Sequence, residues 1–194
     1  MSKRLGRKRL YSIEKRGQTL AKTTGAALTG AVGSQTQHRD GQLITTEIII
    51  DLASSKGAAY SFPTTGTGGS GPVAIGVSSS SGTHANCQVI TLTNASNGYV
   101  TDGELFCAET PTGGGVHVGL YRGSALTGSG KHLSLGTEII APTAQEIGAN
   151  QTFDIDSDIG GQHLYLVHTG SGDAVYTAGK FILRLKGYEA FSDL

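Results

Sequence analysis

Residues 43–52 alternate with a period of two. Ile44, Thr46, Ile48, Ile50 and Leu52 share one parity; Thr45, Glu47 and Asp51 share the other. Successive side chains of an extended chain point to opposite faces, so this segment reads as a strand with one face in a core. Ile49 interrupts the polar parity, which predicts some cover on that face too. Further strand-like runs lie at residues 73–79, 87–93, 99–108, 116–122, 152–155, 163–168 and 180–188, with a weaker one at 138–141. Turn-forming residues separate them. Residues 64–72 are almost entirely Thr, Gly, Ser and Pro, and Asn97-Gly98 and Gly160-Gly161 sit where hairpin turns belong. Short strands punctuated this way predict an all-β, antiparallel sandwich over residues 43–188, a barrel being the alternative closure.

Composition supports this class. Glycine is 30 of 194 residues, about twice the usual ~7%. Charged residues are 15%, against an ordinary ~25%. The exterior must therefore be mainly Ser, Thr, Gly and Asn, which suits a surface packed against neighbours. No apolar run approaches the ~18–20 residues of a membrane-spanning helix, and no membrane partner is expected. Two cysteines, Cys87 and Cys107, cannot make a disulfide framework. Both fall in strand candidates and read as buried thiols, with a bridge between them as the alternative.

The formal charge of zero hides an asymmetry. Residues 1–22 hold eight basic side chains against Glu14, a net +7, which leaves −7 on the remainder. The chain thus divides into a basic, Gly/Ala/Thr-rich arm (1–42), a body (43–188) and a short tail (189–194). No apolar stretch follows the basic start as a signal peptide would require. A weak helical pattern covers residues 11–22, interrupted by Gly17. A basic arm seeks an anionic surface, either nucleic acid or an acidic protein. Tyr11 is its lone aromatic, so base stacking is poorly served. The expected partner-binding residues are Lys3, Arg4, Arg7, Lys8, Arg9, Lys15 and Arg16 for charge. Leu10, Ile13 and Leu20 would add apolar contact. A protein partner is favoured over nucleic acid.

Motifs for chemistry fail on context. Gly66, Gly68 and Gly71 match a dinucleotide fingerprint, but Pro63 precedes and Pro72 follows, with no helix pattern. Residues 125–132 resemble a phosphate loop but lack its first glycine and its last hydroxyl. Asp154, Asp156 and Asp158 open like a calcium loop, yet Ile159 and Tyr165 stand where an EF-hand needs Gly and Glu, which leaves an acidic turn, with a looser calcium site in a β loop as the minor alternative. The six histidines, His38, His84, His117, His132, His163 and His168, are scattered. His163 and His168 differ by five residues on one strand and must face opposite sides. Ser78–Ser81 lacks a nucleophile elbow. No catalytic residue, cofactor or metal is expected.

Three stretches carry a family resemblance: residues 75–101, with Ser78–Ser81, His84 and Asn97-Gly98; Cys107 to Gly114; and Val175 to Tyr188. Together they resemble small virion proteins of marine tailed bacteriophages. The resemblance implies a jelly-roll-like β-sandwich used as a head decoration or cement protein. It implies the major capsid protein or other virion proteins as partners, assembly as a homo-oligomer, often a trimer, and no catalytic residues. The basic arm lies outside the resemblance. A jelly-roll coat protein whose arm binds packaged nucleic acid is the alternative, but the acidic body fits it poorly. A carbohydrate-binding fibre module would need an aromatic surface platform, and Trp is absent.

Overall fold

The computed structural model describes residues 19–20, 32–53, 73–75, 88–124, 136–169 and 176–189. Its strands in chain order are β1 (Thr19–Leu20), β2 (Val32–Asp40), β3 (Leu43–Asp51), β4 (Val73–Ala74) and β5 (Gln88–Thr91). After them come β6 (Tyr99–Thr112), β7 (His117–Gly123), β8 (Thr137–Ala144), β9 (Asn150–Asp154), β10 (His163–His168) and β11 (Ala178–Tyr188). A single helical turn, α1 (Asn94–Asn97), precedes β6. One sheet has the order β1-β2-β3-β11-β6-β9 and the other β4-β10-β7-β8, with β5 also pairing β10. All pairings are antiparallel.

The pairing follows one rule. On β10, Ala74 lies opposite Val167, the Ile75 amide donates to the Leu166 carbonyl, and Gln88 lies opposite Tyr165. β4 and β5 are therefore two pieces of one strand, interrupted between residues 75 and 88. Starting at β3, the first strand then pairs with the last (β11) and the second with β10. The third, β6, pairs with β9, and β7 with β8. Nested pairs divided between two sheets are the connectivity of a jelly roll. The expected antiparallel β-sandwich is the fold.

The predicted parity of the first long strand holds. Ile44, Thr46, Ile48, Ile50 and Leu52 are each at most 1% exposed, while Ile49 is exposed on the outer face. They join a core drawn from both sheets. Ile48, Leu105, Phe181 and Leu183 come from the first; Val89, Leu120, Leu164 and Leu166 come from the second. Each such side chain contributes about 1.5–3 kcal/mol on burial.

The structure departs from the sequence reading in several places, four of them near the turns and the arm. The sheet begins at Val32, inside the segment read as arm, because β2 forms a hairpin with β3 through Gly41, at φ 62°. Its inward residues Gln35 and Gln37 are polar, so hydrophobic alternation could not reveal it. Gln37 donates to Thr46 Oγ1 (3.3 Å) and to the Ser96 carbonyl (3.2 Å), and Asn97 donates to Thr46 Oγ1 (3.1 Å). Buried amides on an edge strand are tolerable when paired in this way. Second, Thr19–Leu20, read as helix, pairs as strand with His38 and Gln37. Third, Asn97-Gly98 is no hairpin turn. Thr93 caps α1 by accepting from the Ser96 amide, and Gly98 ends it at φ 68°. Fourth, Gly160-Gly161 does form a turn, but it crosses between sheets from β9 to β10.

Ile48→Asp should destabilise by roughly 4 kcal/mol or more, since it buries an unpaired carboxylate. Thr45→Asp, on the outer face, should cost less than about 1 kcal/mol. Urea unfolding of both variants checks the assignment, and similar losses would contradict it.

Candidate interaction face on the first sheet

The outer face of the first sheet is a grid set by strand register. β11 runs between β3 and β6, so each outward β11 side chain has a neighbour on both sides. Lys180 lies between Asp51 and Glu109, Arg184 between Glu47 and Glu104, and Lys186 between Thr45 and Asp102. Arg184 Nε donates to Glu47 at 2.7 Å and its Nη1 to Glu104 at 2.7 Å. Lys180 Nζ is 2.9 Å from Glu109 and 3.7 Å from Asp51; Lys186 Nζ is 2.9 Å from Asp102. Asn150 on β9 donates to the second Glu104 oxygen at 3.1 Å. Hydrogen bonds from Arg184 and Asn150 hold the Glu104 carboxyl below its ordinary pKa. Glu109 raises the Lys180 pKa, Asp102 that of Lys186, and Glu47 with Glu104 that of Arg184.

Two apolar rows cross the same face. Ile49, Ile182 and Phe106 lie in register across β3, β11 and β6, as do Leu43, Tyr188 and Tyr99 nearer the β2–β3 turn. Ile49 is 36% exposed, Tyr99 42% and Tyr188 49%. Asp154 on β9 lies opposite Asp102, and Asp40 on β2 opposite Leu43. The face thus carries seven carboxylates (Asp40, Glu47, Asp51, Asp102, Glu104, Glu109 and Asp154) against three cations, a net −4. The Ile49 row lies between the ion-paired rows of Lys180 and Arg184, and the Tyr188 row closes the face beyond Lys186.

The second sheet is different. Its outer face buries Ala74, Tyr121, Tyr165 and Val167 as a small cluster. Tyr121 donates to Glu138, and burial together with that carboxylate pushes its pKa up to about 12.

Of the arm residues expected to bind a partner, Lys3, Arg4, Arg7, Lys8, Arg9, Leu10, Ile13, Lys15 and Arg16 lie outside the described residues. Leu20 falls in β1, opposite Gln37. The glycine-rich loop at 64–72, the segment 125–132, Cys87, His84 and His132 also lie outside them. Cys107 is a buried free thiol in the core. Asp154, Asp156 and Asp158 are exposed, and Asp158 accepts from the Gly160 amide (2.8 Å) and Asn94 (3.2 Å). Among the described residues, no group of three or more His, Cys, Asp or Glu is placed to hold a metal ion. His168 faces the core side of β10 and is 3% exposed, whereas His163 is half-buried on the opposite side. Burial lowers the His168 pKa from 6.5 to about 4, against a hydrogen bond with the Thr169 backbone that raises it. The ion-paired grid escaped sequence reasoning because its partners are 80 and 137 residues apart. Its one visible signal was the alternation of Lys180, Arg184 and Lys186 with apolar residues. Compared with family models, curated proteins and solved structures, the chain matches none.

Arg184→Met removes two exposed ion pairs and should cost less than about 2 kcal/mol, since such pairs contribute at most ~1 kcal/mol each. Denaturant midpoints at low and high salt check this, with the smaller loss at high salt. His168 gives a second test. Its folded pKa lies below the unfolded value, so between pH 6.5 and about 4 the unfolded chain binds more protons. Its contribution is complete above pH 6.5, declines as pH falls and levels off near 4. At 1.36 kcal/mol per pKa unit, the loss reaches up to about 3 kcal/mol. Thermal melts of the native protein and His168→Gln across this range should show a flatter profile for the variant.

Proposed function

We propose that the chain is a non-enzymatic structural protein of a virion: a decoration or cement subunit on the head of a tailed bacteriophage. It associates with copies of itself and attaches to the major capsid protein or another virion protein through its basic arm. The observation that carries this reading is the jelly-roll pairing, with β1 added beside β2 at the edge of the first sheet. Jelly rolls recur in viral shells and in lectins, and β1 directly follows the basic segment in sequence. The acidic body weighs against a shell protein that packages nucleic acid on its arm.

The exposed pair Tyr99 and Tyr188, opposite each other on β6 and β11, supports a second reading as a sugar-binding module. Glycan binding abolished by Tyr188→Ala, with particle attachment intact, would favour it.

Because β2 belongs to the sheet, a truncation that tests the arm must stop short of it. Deletion of residues 1–18 should leave the melting temperature within a few degrees and abolish binding to particles lacking the protein. Undiminished binding would overturn the attachment role. A nucleic-acid arm neutralising six to eight phosphates would instead give a log–log salt slope of about −5 to −7 on duplex DNA.

A further inference from the structure

We propose that the receptor for the basic arm is the outer face of the first sheet on a second copy of this chain. The inference rests on the reading of the chain as an assembling subunit, and it names the partner and the surface. Three observations carry it.

The first is direction. β1 is antiparallel to β2, with Thr19 opposite His38 and Leu20 opposite Gln37. Thr19, the first residue of β1, therefore lies on the side of Arg39 and Asp40, at the end of the sheet where β2 turns into β3. The basic residues precede it in sequence, so the arm is tethered at a corner of the first sheet, within reach of a neighbouring copy.

The second is charge. Residues 1–18 hold seven basic side chains and Glu14, a net +6. The grid on the first sheet is net −4, and two of its carboxylates, Asp40 and Asp154, form no ion pair among the described residues. A polyanion such as DNA would be repelled from this face, whereas a basic peptide is attracted to it.

The third is reach and apolar fit. Eighteen extended residues span at most ~60 Å. The five long strands β2, β3, β11, β6 and β9 present a face only ~20 Å wide. An arm crossing it keeps roughly two thirds of its length to bridge two copies. The exposed rows at Ile49, between the Lys180 and Arg184 ion pairs, and at Tyr188, beyond Lys186, offer apolar surface for Leu5, Leu10 and Ile13. Salt screens only the charged part of such an interface.

The test is zero-length coupling of lysine to carboxylate with a carbodiimide in the full-length protein. The native chain should yield amides joining Lys3, Lys8 or Lys15 to Asp40 or Asp154. Two full-length variants are then co-expressed. One carries Lys3→Arg, Lys8→Arg and Lys15→Arg, which keep the charge but remove the amines. The other carries Asp40→Asn and Asp154→Asn, which remove carboxylates that hold no cation among the described residues. Neither alone can form these amides. The mixed oligomer should form them, at a yield several-fold below native, because the arm of one copy meets the face of the other. Coupling in the native protein but not in the mixture would show that the arm folds onto its own copy, and overturns the proposal. Absence of coupling in the native protein also overturns it. If deletion of residues 1–18 still abolishes particle attachment in that case, the arm engages a different virion protein and the functional reading stands.

Discussion

Strand β11 is the element on which the architecture depends. It enters the first sheet between β3 and β6, hydrogen-bonded to both over nearly its full length. One parity supplies Phe181, Leu183 and Leu185 to the core at 1% exposure or less. The other supplies Lys180, Arg184 and Lys186, the cations that hold the outer carboxylates in place. Removing β11 would break the sheet into two unconnected pieces and open the core together with the charged grid. The neighbouring backbone is shaped to receive it. A Cβ on Gly103 would lie 2.5 Å from the Arg184 carbonyl oxygen, and one on Gly187 would lie 2.1 Å from the Asn97 carbonyl oxygen. Only glycine lets the chains approach so closely at these points.

How much of this was legible depended on where each residue carries its information. Ile44, Ile48 and Ile50 declared their strand because hydrophobic alternation is a local property. His163–His168 and the sandwich class could be read for the same reason. β2 was hidden because its inward positions are Gln35 and Gln37, both polar, and Gln37 is held inward by partners on β3 and α1 rather than by hydrophobicity. The extension of β6 to Thr112 was hidden by Pro111, a residue that usually argues against a strand. The charged grid was hidden for a deeper reason. Alternating charge shows on each strand separately, but Arg184 meets Glu47 and Glu104 only through the register of three segments far apart in sequence.

The arm shows the converse. Its charge was the plainest feature of the sequence, yet charge specifies only the sign of a partner. What narrows the choice is the direction of β1 at the edge of the body, together with a sheet face of opposite sign. The buried amides of Gln37 and Asn97 matter here because both bond Thr46, and Gln37 also bonds the Ser96 carbonyl of α1. A satisfied polar cluster of this kind fixes the register of an edge strand that greasy contacts alone would leave free to slip.

The nested pairing also sets a timetable for synthesis. β3 must await β11, and residues 52–177 are made in between. At ~5–20 residues per second this wait is roughly 6–25 s. Throughout it, the hairpin of β2 and β3 exists without its permanent partner, with an open strand edge and an apolar face on the emerging chain. Non-local topologies of this sort fold slowly once complete. Charges on a waiting strand, such as Glu47 and Asp51 on β3, are of the kind that discourages pairing between nascent chains. On a polysome, where many identical hairpins stand close together, that repulsion bears on how much protein reaches the folded state.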